Sequence, residues 1–259
     1  MMIMTSQNVP PTKYLTVNDG ERLAYWHQPG KTPGIMFLPG FQSTMKSKKS
    51  AAIHDFCQKD GLEFTTLDYY GHGQSSGSNS ETGSIERWMS DAINILDGIS
   101  EAPEQIIIGS SMGAWLMMLL MKERAGRIKG LVGIASAPDF TYILQQQIEN
   151  DKYLSKQMES SGYCDLPTKY DTKGYYRIHK RFLHQAASLF ILSSECKVDV
   201  PLRLIHGKND EDILWHSSQA LFDKVISKDK ELIIVDGGDH RLSKPHELKV
   251  ILDTIKNII

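Results

Sequence analysis

Ser111 has the surroundings that a nucleophilic serine requires. It stands at the centre of residues 109–113, Gly-Ser-Ser-Met-Gly, which have the spacing G-x-S-x-G. The apolar run 106–108 predicts a buried strand before it, and the longer apolar block 114–121 predicts a buried helix after it. A sharp turn from strand to helix exposes the central side chain, and the glycines leave room for the crossing backbones. The pentapeptide occurs by chance in roughly one chain in ten of this length, so its place between these elements carries the prediction.

A serine hydroxyl becomes a good nucleophile when a base removes its proton and an acid holds that base in one tautomer. Asp210 follows the apolar run 202–205, and His240 follows the run 231–236 behind a Gly-Gly turn. The order Ser, Asp, His, with each residue in a loop after a strand, is the order of the α/β hydrolases. We therefore predict that Ser111, Asp210 and His240 form a catalytic triad.

The acid and the base each have competitors, which are Glu211 and Asp212 for the acid and His216 and His246 for the base. In the acid loop, the position of Asp210 at the end of the run 206–210, His-Gly-Lys-Asn-Asp, directly after the predicted strand, favours Asp210. Both competing histidines fall at or within predicted helices, whereas His240 alone directly follows a strand, so we favour His240. Two further histidines, His72 and His206, are interpreted as a turn residue and as a side chain that packs at a strand end.

An acyl-transfer site also needs donors for the oxyanion that forms on the carbonyl oxygen. In this arrangement one donor is the backbone N–H after the nucleophile, here Met112, and another comes from the loop after an earlier strand. The glycine-led turn 39–41 offers the N–H of Phe41 as the second donor, with Gln42 as the alternative. None of these steps needs a metal ion or a cofactor, so none is predicted.

The elements that must position these residues alternate along the chain. Apolar runs at 34–38, 64–68, 106–108, 130–135, 201–207 and 231–236 are separated by helical patterns at about 44–59, 84–99, 114–121 and 220–226. Apolar strands joined by helices predict an α/β fold, a parallel sheet covered on both faces. Ligands of such sheets bind at the carboxyl ends of the strands, where every candidate residue falls. In the first helix, the lysines at 46–49 are interpreted as a solvated face.

The stretch 138–200 interrupts this alternation. It lacks clean strand runs, and apolar side chains recur at helical spacing between Tyr175 and Phe190, which predicts one long helix there. Because the stretch follows one core strand and precedes another, we predict a helical cap inserted over the strand ends. This cap would form the wall of an acyl or aromatic pocket within a single domain spanning 1–259.

Composition narrows the class of protein. With 41% hydrophobic and 23% charged residues and a net charge of −2, the chain lacks the basic surface of a nucleic-acid or anionic-membrane binder. Its longest apolar run, 114–121, is too short to span a membrane. Three widely spaced cysteines show no metal-ligand pattern, and 1–12 resembles neither a signal nor a transit peptide. We therefore expect a cytoplasmic protein with reduced thiols.

Several motifs, from about residue 35 to the C-terminus, resemble the α/β-hydrolase domain-containing protein 10 group. They are Leu38-Pro39-Gly40-Phe41, Gly71-His72-Gly73-Gln74-Ser75, Gly109-Ser110-Ser111-Met112-Gly113-Ala114-Trp115, Leu166-Pro167-Thr168-Lys169-Tyr170, His206-Gly207 with Asp210, and Asp239-His240-Arg241. The resemblance implies an α/β-hydrolase fold with a mostly parallel eight-stranded sheet. It also implies the triad named above, and an acyl-protein (S-depalmitoylating) thioesterase or acyl-glucuronide esterase activity.

These patterns predict a serine hydrolase that cleaves carboxylic ester or thioester bonds through an acyl-enzyme on Ser111. Its substrates would be small molecules or acylated proteins, and the protein would be a monomer or a weak dimer. A peptidase or a lactonase on the same scaffold is an alternative. A non-catalytic binding protein of the hydrolase fold is a further alternative, which the presence of all three triad residues disfavours.

Overall fold

An eight-stranded sheet forms the centre of the computed structural model, which describes residues 11–78 and 82–259. Its strands are β1 Lys13–Thr16, β2 Arg22–Gln28, β3 Lys31–Leu38, β4 Leu62–Leu67, β5 Gln105–Ser110, β6 Ile128–Ile134, β10 Leu202–Gly207 and β12 Lys230–Val235. They lie in the order β1-β2-β4-β3-β5-β6-β10-β12. The expectation for residues 1–12 falls almost entirely outside the described residues.

The sheet is mostly parallel, as predicted. The β1/β2 and β2/β4 pairs are antiparallel, and all the remaining pairs are parallel. The chain leaves β3 toward β4 on one side and returns to β5 on the other, so the strand order switches at β3. A sheet of this kind opens a crevice at the carboxyl ends of the strands where the order switches. The loops after β3 and β5 both reach that crevice.

Eight α-helices occur in the described ranges. They are α1 Lys48–Asp60, α2 Ile85–Gly98, α3 Met112–Arg124, α4 Phe140–Asn150, α5 Lys152–Ser161, α6 Lys180–Ala186, α7 His216–Lys224 and α8 Pro245–Lys256. None of the described helices is long and apolar enough to cross a membrane.

Helices cover both faces of the sheet, and successive residues of a strand show this. Ile107 of β5 packs in the cluster beneath α2 and α3, whereas its neighbours Ile106 and Ile108 pack in the cluster beneath α1 and α8. Since side chains alternate between the faces of a strand, a strand buried on both faces is apolar throughout. This explains the continuous apolar runs on which the α/β prediction rests.

Local capping signals set where two of the helices begin. Ser84 caps α2 by accepting a hydrogen bond from the backbone N–H of Arg87 at 3.1 Å, as the sequence predicts. Helix α1 begins at Lys48, later than the predicted start near residue 44, because Ser47 and Ser50 form a capping box. Before this cap, the carboxylate of Asp68 accepts the backbone N–H of Met45 at 2.6 Å and holds the chain in a turn.

The insertion 138–200 contains a hairpin that the sequence analysis did not predict. Tyr163–Pro167 (β7) pairs in antiparallel fashion with Tyr175–His179 (β8), and α6 is only seven residues long. The predicted long helix over 175–190 is therefore wrong. Arg177 and Asp165 reinforce the pairing across the hairpin, at 2.8 and 2.9 Å. The partner strand Tyr163–Pro167 lies outside the stretch 175–190, so the side-chain periodicity of that stretch could not reveal the pairing.

A second small sheet closes the insertion. Cys196–Lys197 (β9) pairs in parallel with Val225–Ile226 (β11), which directly follows α7. The elements α4, α5, the β7–β8 hairpin and α6 pack on the cluster that contains α2 and α3. This arrangement brings the insertion over the strand ends, where the candidate residues meet.

Candidate active site

Ser111 lies on a strained turn between β5 and α3. Its backbone has φ 56° and ψ −118°, in a region that residues other than glycine rarely adopt. Three hydrogen bonds hold the turn: Ser111 N–H donates to the carbonyl of Ile134 at 2.8 Å, and Ser111 C=O accepts from Ala114 and Ala137 at 3.0 and 3.2 Å. The conformation exposes part of the serine side chain at the carboxyl edge of the sheet.

The two glycines of the pentapeptide allow the backbones to cross closely. A Cβ atom on Gly109 would lie 2.3 Å from the carbonyl oxygen of Gly113, and one on Gly113 would lie 2.1 Å from the carbonyl oxygen of Leu38. A Cβ on Gly40 would lie 3.2 Å from the Cβ of Ser111. The glycine requirement therefore comes from packing, and that packing brings the loop after β3 against the serine.

Asp210 is buried after β10, and hydrogen bonds surround its carboxylate. Oδ2 accepts from His240 Nδ1 at 2.7 Å and from His206 Nε2 at 2.9 Å. Oδ1 accepts the backbone N–H groups of Asp212 and Ile213 at 3.0 and 2.9 Å. Burial by itself raises the pKa of Asp210, but the hydrogen bonds from the two histidines outweigh it and lower the pKa well below its usual range. The carboxylate is therefore anionic.

The competing acids of this loop lie elsewhere. Glu211 is exposed. Asp212 is also exposed; its carboxylate accepts the hydroxyl of Tyr170 and lies 3.3 Å from Lys169 Nζ. Asp210 is thus the loop carboxylate that meets His240.

His240 follows β12, and its side chain is 20% exposed. Because Nδ1 faces the carboxylate of Asp210, the neutral ring carries its proton there and leaves Nε2 as the basic nitrogen. Of the competing histidines, His216 stacks on Trp215 with 4.0 Å between the ring centroids, and His246 is exposed. Neither of them is bonded to Asp210.

The candidate oxyanion donors lie on either side of Ser111. Met112 is the first residue of α3, so its backbone N–H has no acceptor within the helix. Phe41 lies in the turn after β3 that packs against Ser111. The N–H of the alternative donor, Gln42, is already directed to Nε2 of His72 at 3.2 Å. This engagement favours Phe41 over Gln42.

His72 contacts the turn after β3 that carries Phe41 and Gln42. It is buried, its Nδ1 lies 3.2 Å from the carbonyl oxygen of Tyr70, and its Nε2 accepts the N–H of Gln42. Burial lowers the pKa of His72 to about 4, so the ring is neutral at physiological pH and keeps an acceptor on Nε2. The motif at 71–75 indicated only a turn; the contact with the loop after β3 depends on the sheet order.

One cavity of about 620 Å³ joins these residues. Ser111, Met112, Phe41 and His240 all lie in its wall. Most of the lining residues of the insertion are apolar, namely Phe140, Ile143, Leu144, Leu166, Pro167, Tyr176 and Ile178, and the others are Gln147, Thr168 and Tyr170. Polar residues from α1 and from the loops after β3 and β12 form a polar rim, namely Ser43, Lys48, Lys49, Arg241 and Ser243. Within the described residues, no three His, Cys, Asp or Glu side chains are grouped as a metal ion would require.

The structure corrects the interpretation of the lysines at 46–49 for Lys49, whereas Lys46 and Lys48 are exposed, as a solvated face requires. Lys48 and Lys49 line the cavity, and Lys49 Nζ donates to the carbonyl of Arg241 at 2.6 Å, beside His240. Burial lowers the pKa of Lys49 to about 8. The sequence does not reveal that this end of α1 borders the loop after β12, because that contact depends on how the helix packs against the sheet.

Comparisons with known proteins agree with this arrangement. A family model described as serine aminopeptidase, S33, matches residues 33–161. The rat palmitoyl-protein thioesterase ABHD10, mitochondrial, is 39% identical over 92% of this chain and 78% of its own length. The structure of mouse α/β-hydrolase domain-containing protein 10 superimposes with a TM-score of 0.87 at 34% identity, over 96% of this chain and 98% of that one. A putative hydrolase from Agrobacterium vitis S4 matches with a TM-score of 0.89 at 25% identity, over the same shares of the two chains.

These relatives correct the expected location. The rat, mouse and human proteins are all named as mitochondrial, which points to mitochondria, so the prediction of a cytoplasmic protein is wrong. The prediction rested on composition and on the first residues. Cellular targeting depends on segments separate from the folded domain, so the composition of the folded part does not indicate the location.

Proposed function

This chain belongs to the family of the palmitoyl-protein thioesterase ABHD10 within the α/β hydrolases, and we propose that it is a serine hydrolase with the triad Ser111, Asp210 and His240. It cleaves ester or thioester bonds. One observation carries the proposed triad: the anionic Asp210 holds His240 by Nδ1, and His240 shares a cavity wall with a serine on a strained turn. In the proposed triad, His240 Nε2 takes the proton of Ser111 Oγ, which activates the serine hydroxyl.

The proposed reaction has two halves. Ser111 Oγ attacks the acyl carbon while His240 Nε2 takes its proton, and Asp210 stabilises the resulting imidazolium. The tetrahedral intermediate then breaks the bond to the leaving alcohol or thiol, which receives the proton from His240. Water next attacks the acyl-enzyme, with His240 again as the base, and the carboxylic acid leaves as Ser111 is restored.

Backbone donors support both tetrahedral states. We assign the N–H groups of Met112 and Phe41 to the oxyanion. Met112 also lies at the N-terminus of α3, where the helix dipole favours negative charge. Such donors stabilise the charge as it develops, and losing one typically lowers kcat by about 10²–10³-fold.

The cavity supports an acyl-chain substrate. Its volume of about 620 Å³ is in the range of small-ligand pockets, and most of the insertion residues in its wall are apolar. The acyl group would occupy this wall, and the leaving group, from a small molecule or an acylated protein, would face the polar rim.

The first test replaces the nucleophile. We expect Ser111→Ala to abolish labelling by a fluorophosphonate probe and hydrolysis of p-nitrophenyl esters, because no other hydroxyl is paired with His240 in the proposed mechanism. The control is Ser160→Ala, which removes an exposed hydroxyl of α5 and should label and turn over like the parent protein. Unchanged ester hydrolysis by the Ser111 variant would exclude this proposal.

Peptide hydrolysis is a second candidate, favoured by the match of residues 33–161 to the serine aminopeptidase model. The same triad could cleave an amide, which differs from an ester in its poorer leaving group. Comparing kcat/KM for p-nitrophenyl esters, an S-palmitoyl peptide and amino-acid p-nitroanilides separates the two activities. Faster cleavage of the anilides would favour the peptidase.

A further inference from the structure

His206 is a buried histidine at the end of β10, four residues before Asp210. Its side chain is fully buried, like that of Asp210. Its Nε2 lies 2.9 Å from Asp210 Oδ2 and 2.9 Å from the carbonyl oxygen of Ile213, and its Nδ1 lies 2.7 Å from Ser218 Oγ. A packing role at a strand end does not require these polar contacts.

The contacts determine where the proton of His206 lies. Nε2 faces a carboxylate and a carbonyl oxygen, which can only accept, so Nε2 carries the proton. Nδ1 then accepts the hydroxyl proton of Ser218, which is also buried. One proton on the ring thus satisfies all three contacts, and a continuous chain of hydrogen bonds runs from Ser218 through His206 and Asp210 to His240.

We propose that His206 is a positioning residue for the triad, which orients the carboxylate of Asp210 so that Oδ2 faces His240. This inference rests on the proposed function. A carboxylate on a flexible torsion can present either oxygen in many orientations. The backbone N–H groups of Asp212 and Ile213 hold Oδ1, and His206 holds Oδ2, so the carboxylate is fixed before His240 binds it.

Because Asp210 Oδ2 accepts from both histidines, His206 also affects the basicity of the Asp210–His240 pair. Without the His206 donor, the carboxylate of Asp210 loses a hydrogen bond to its charged form and becomes a stronger base. It then stabilises more strongly the imidazolium of His240, the protonated form that cannot act as the base. The acid limb of kcat/KM moves to higher pH, since His240 must be neutral to act as the base. The charged groups near Asp210 are Lys49 of α1 and Asp212, whose backbone N–H the carboxylate accepts. Lys49 in turn lies near Asp239, Arg241 and Glu247 of α8, and the test variants change none of these groups.

The test compares two replacements of His206. Phenylalanine fills a similar volume without a donor, whereas the side-chain amide nitrogen of glutamine can take the place of Nε2. We expect His206→Phe to lower kcat by about tenfold to a hundredfold, the equivalent of one hydrogen bond to a charged group, with KM within about twofold of the parent value. The acid limb should rise by about half a pH unit or more, and His206→Gln should recover most of both changes.

A merely structural His206 gives a different outcome. In that case His206→Phe lowers the melting temperature while kcat per folded molecule and the acid limb stay at parent values, which overturns the inference. If His206→Phe does not fold, His206→Gln and His206→Asn decide. The shorter asparagine amide reaches toward Ser218 but not Asp210, so equal kcat values for these two variants also overturn it.

An activity-independent measurement separates this inference from the proposed function. The Nδ1 proton of His240 in its bond to Asp210 gives a low-field proton resonance, which we expect to move or broaden in His206→Phe and to return in His206→Gln. If Ser111→Ala still hydrolyses esters, the proposed function fails, and this resonance still tests the positioning of Asp210. An unmoved resonance in His206→Phe overturns the inference alone.

Discussion

Asp210 illustrates how single side chains are set in this protein. Four donors meet its two carboxylate oxygens, two of them histidine rings and two of them backbone amides. The residue type and its place after a strand were visible in the sequence. The double use of Oδ2 was not, because it needs His206 and His240, from two neighbouring strands, to converge on one atom.

The role of Asp210 predicts the effect of an amide in its place. Asp210→Asn offers an N–H toward Nδ1 of His240, which favours the wrong tautomer and leaves Nε2 protonated. We expect kcat for p-nitrophenyl esters to fall by about 10⁴-fold, as in triads of this type.

The matched control is Glu211→Gln, which removes the neighbouring exposed carboxylate and should stay within about twofold of the parent kcat. Circular dichroism checks that both variants are folded. A small effect of Asp210→Asn, comparable with that of Glu211→Gln, would contradict the assignment of the acid.

At the scale of elements, two kinds of segment build the site. The loops after β3, β5, β10 and β12 carry the proposed catalytic residues and follow strands that the sequence predicts. The insertion supplies the apolar wall through α4 and the β7–β8 hairpin, and the predicted long helix there was wrong. The positions of the core loops were therefore easier to predict than the elements of the insertion.

The residues of α4 that line the cavity lead to a prediction about which acyl-chain lengths the protein prefers. Leu144 is buried and lines the cavity, so Leu144→Trp fills part of the space that a long chain would occupy. We expect kcat/KM for p-nitrophenyl palmitate to fall by about tenfold or more, while the value for the acetate changes much less.

Gln146→Trp is the control, because Gln146 is exposed on the same helix and does not line the cavity. Its chain-length profile should match that of the parent. A profile that Leu144→Trp leaves unchanged would mean that the acyl group binds elsewhere.

For the whole molecule, covering both faces of the sheet buries titratable groups as well as apolar ones. Burial is the main cause that lowers the pKa of His72 and also that of His54. Buried carboxyls oppose this, since burial raises the pKa of Asp91 to about 6. The pH dependence of the unfolding free energy thus combines groups that lose stability as the pH falls with groups that lose it as the pH rises. The contribution of a single group is measured as the difference between the parent protein and a variant without that group.

His72 gives such a difference. Its pKa is about 4 in the folded protein, below the value of 6.5 for a free imidazole, so in between the unfolded chain binds a proton that the folded one does not. Stability from this group is complete above pH 6.5 and is lost as the pH falls toward 4. We expect the parent protein to lose about 2 kcal/mol more unfolding free energy than His72→Gln between pH 7 and pH 4.5.

Urea unfolding at several pH values measures this difference. His184→Gln serves as the control, because His184 is exposed and should follow the parent curve. Parallel curves for the parent and His72→Gln would show that His72 has the same pKa in the folded and the unfolded chain, which contradicts the lowered pKa.

The amino-acid sequence by itself determined the features that depend on neighbours along the chain. The strained turn at Ser111, the Ser84 cap and the α/β alternation are local, because backbone sterics, capping and side-chain periodicity act over a few residues. The order of the proposed triad residues along the chain could also be read from the sequence, since each of them follows its own strand.

Only the tertiary structure decided which distant groups meet. The contact of His72 with Gln42, the placement of Lys49 beside Arg241, and the meeting of two histidines at Asp210 depend on strand order and on helix docking. Such contacts join residues far apart in the chain, and they form because burying a polar group stabilises the fold only when that group finds a partner. Local sequence patterns do not indicate which distant residue that partner is.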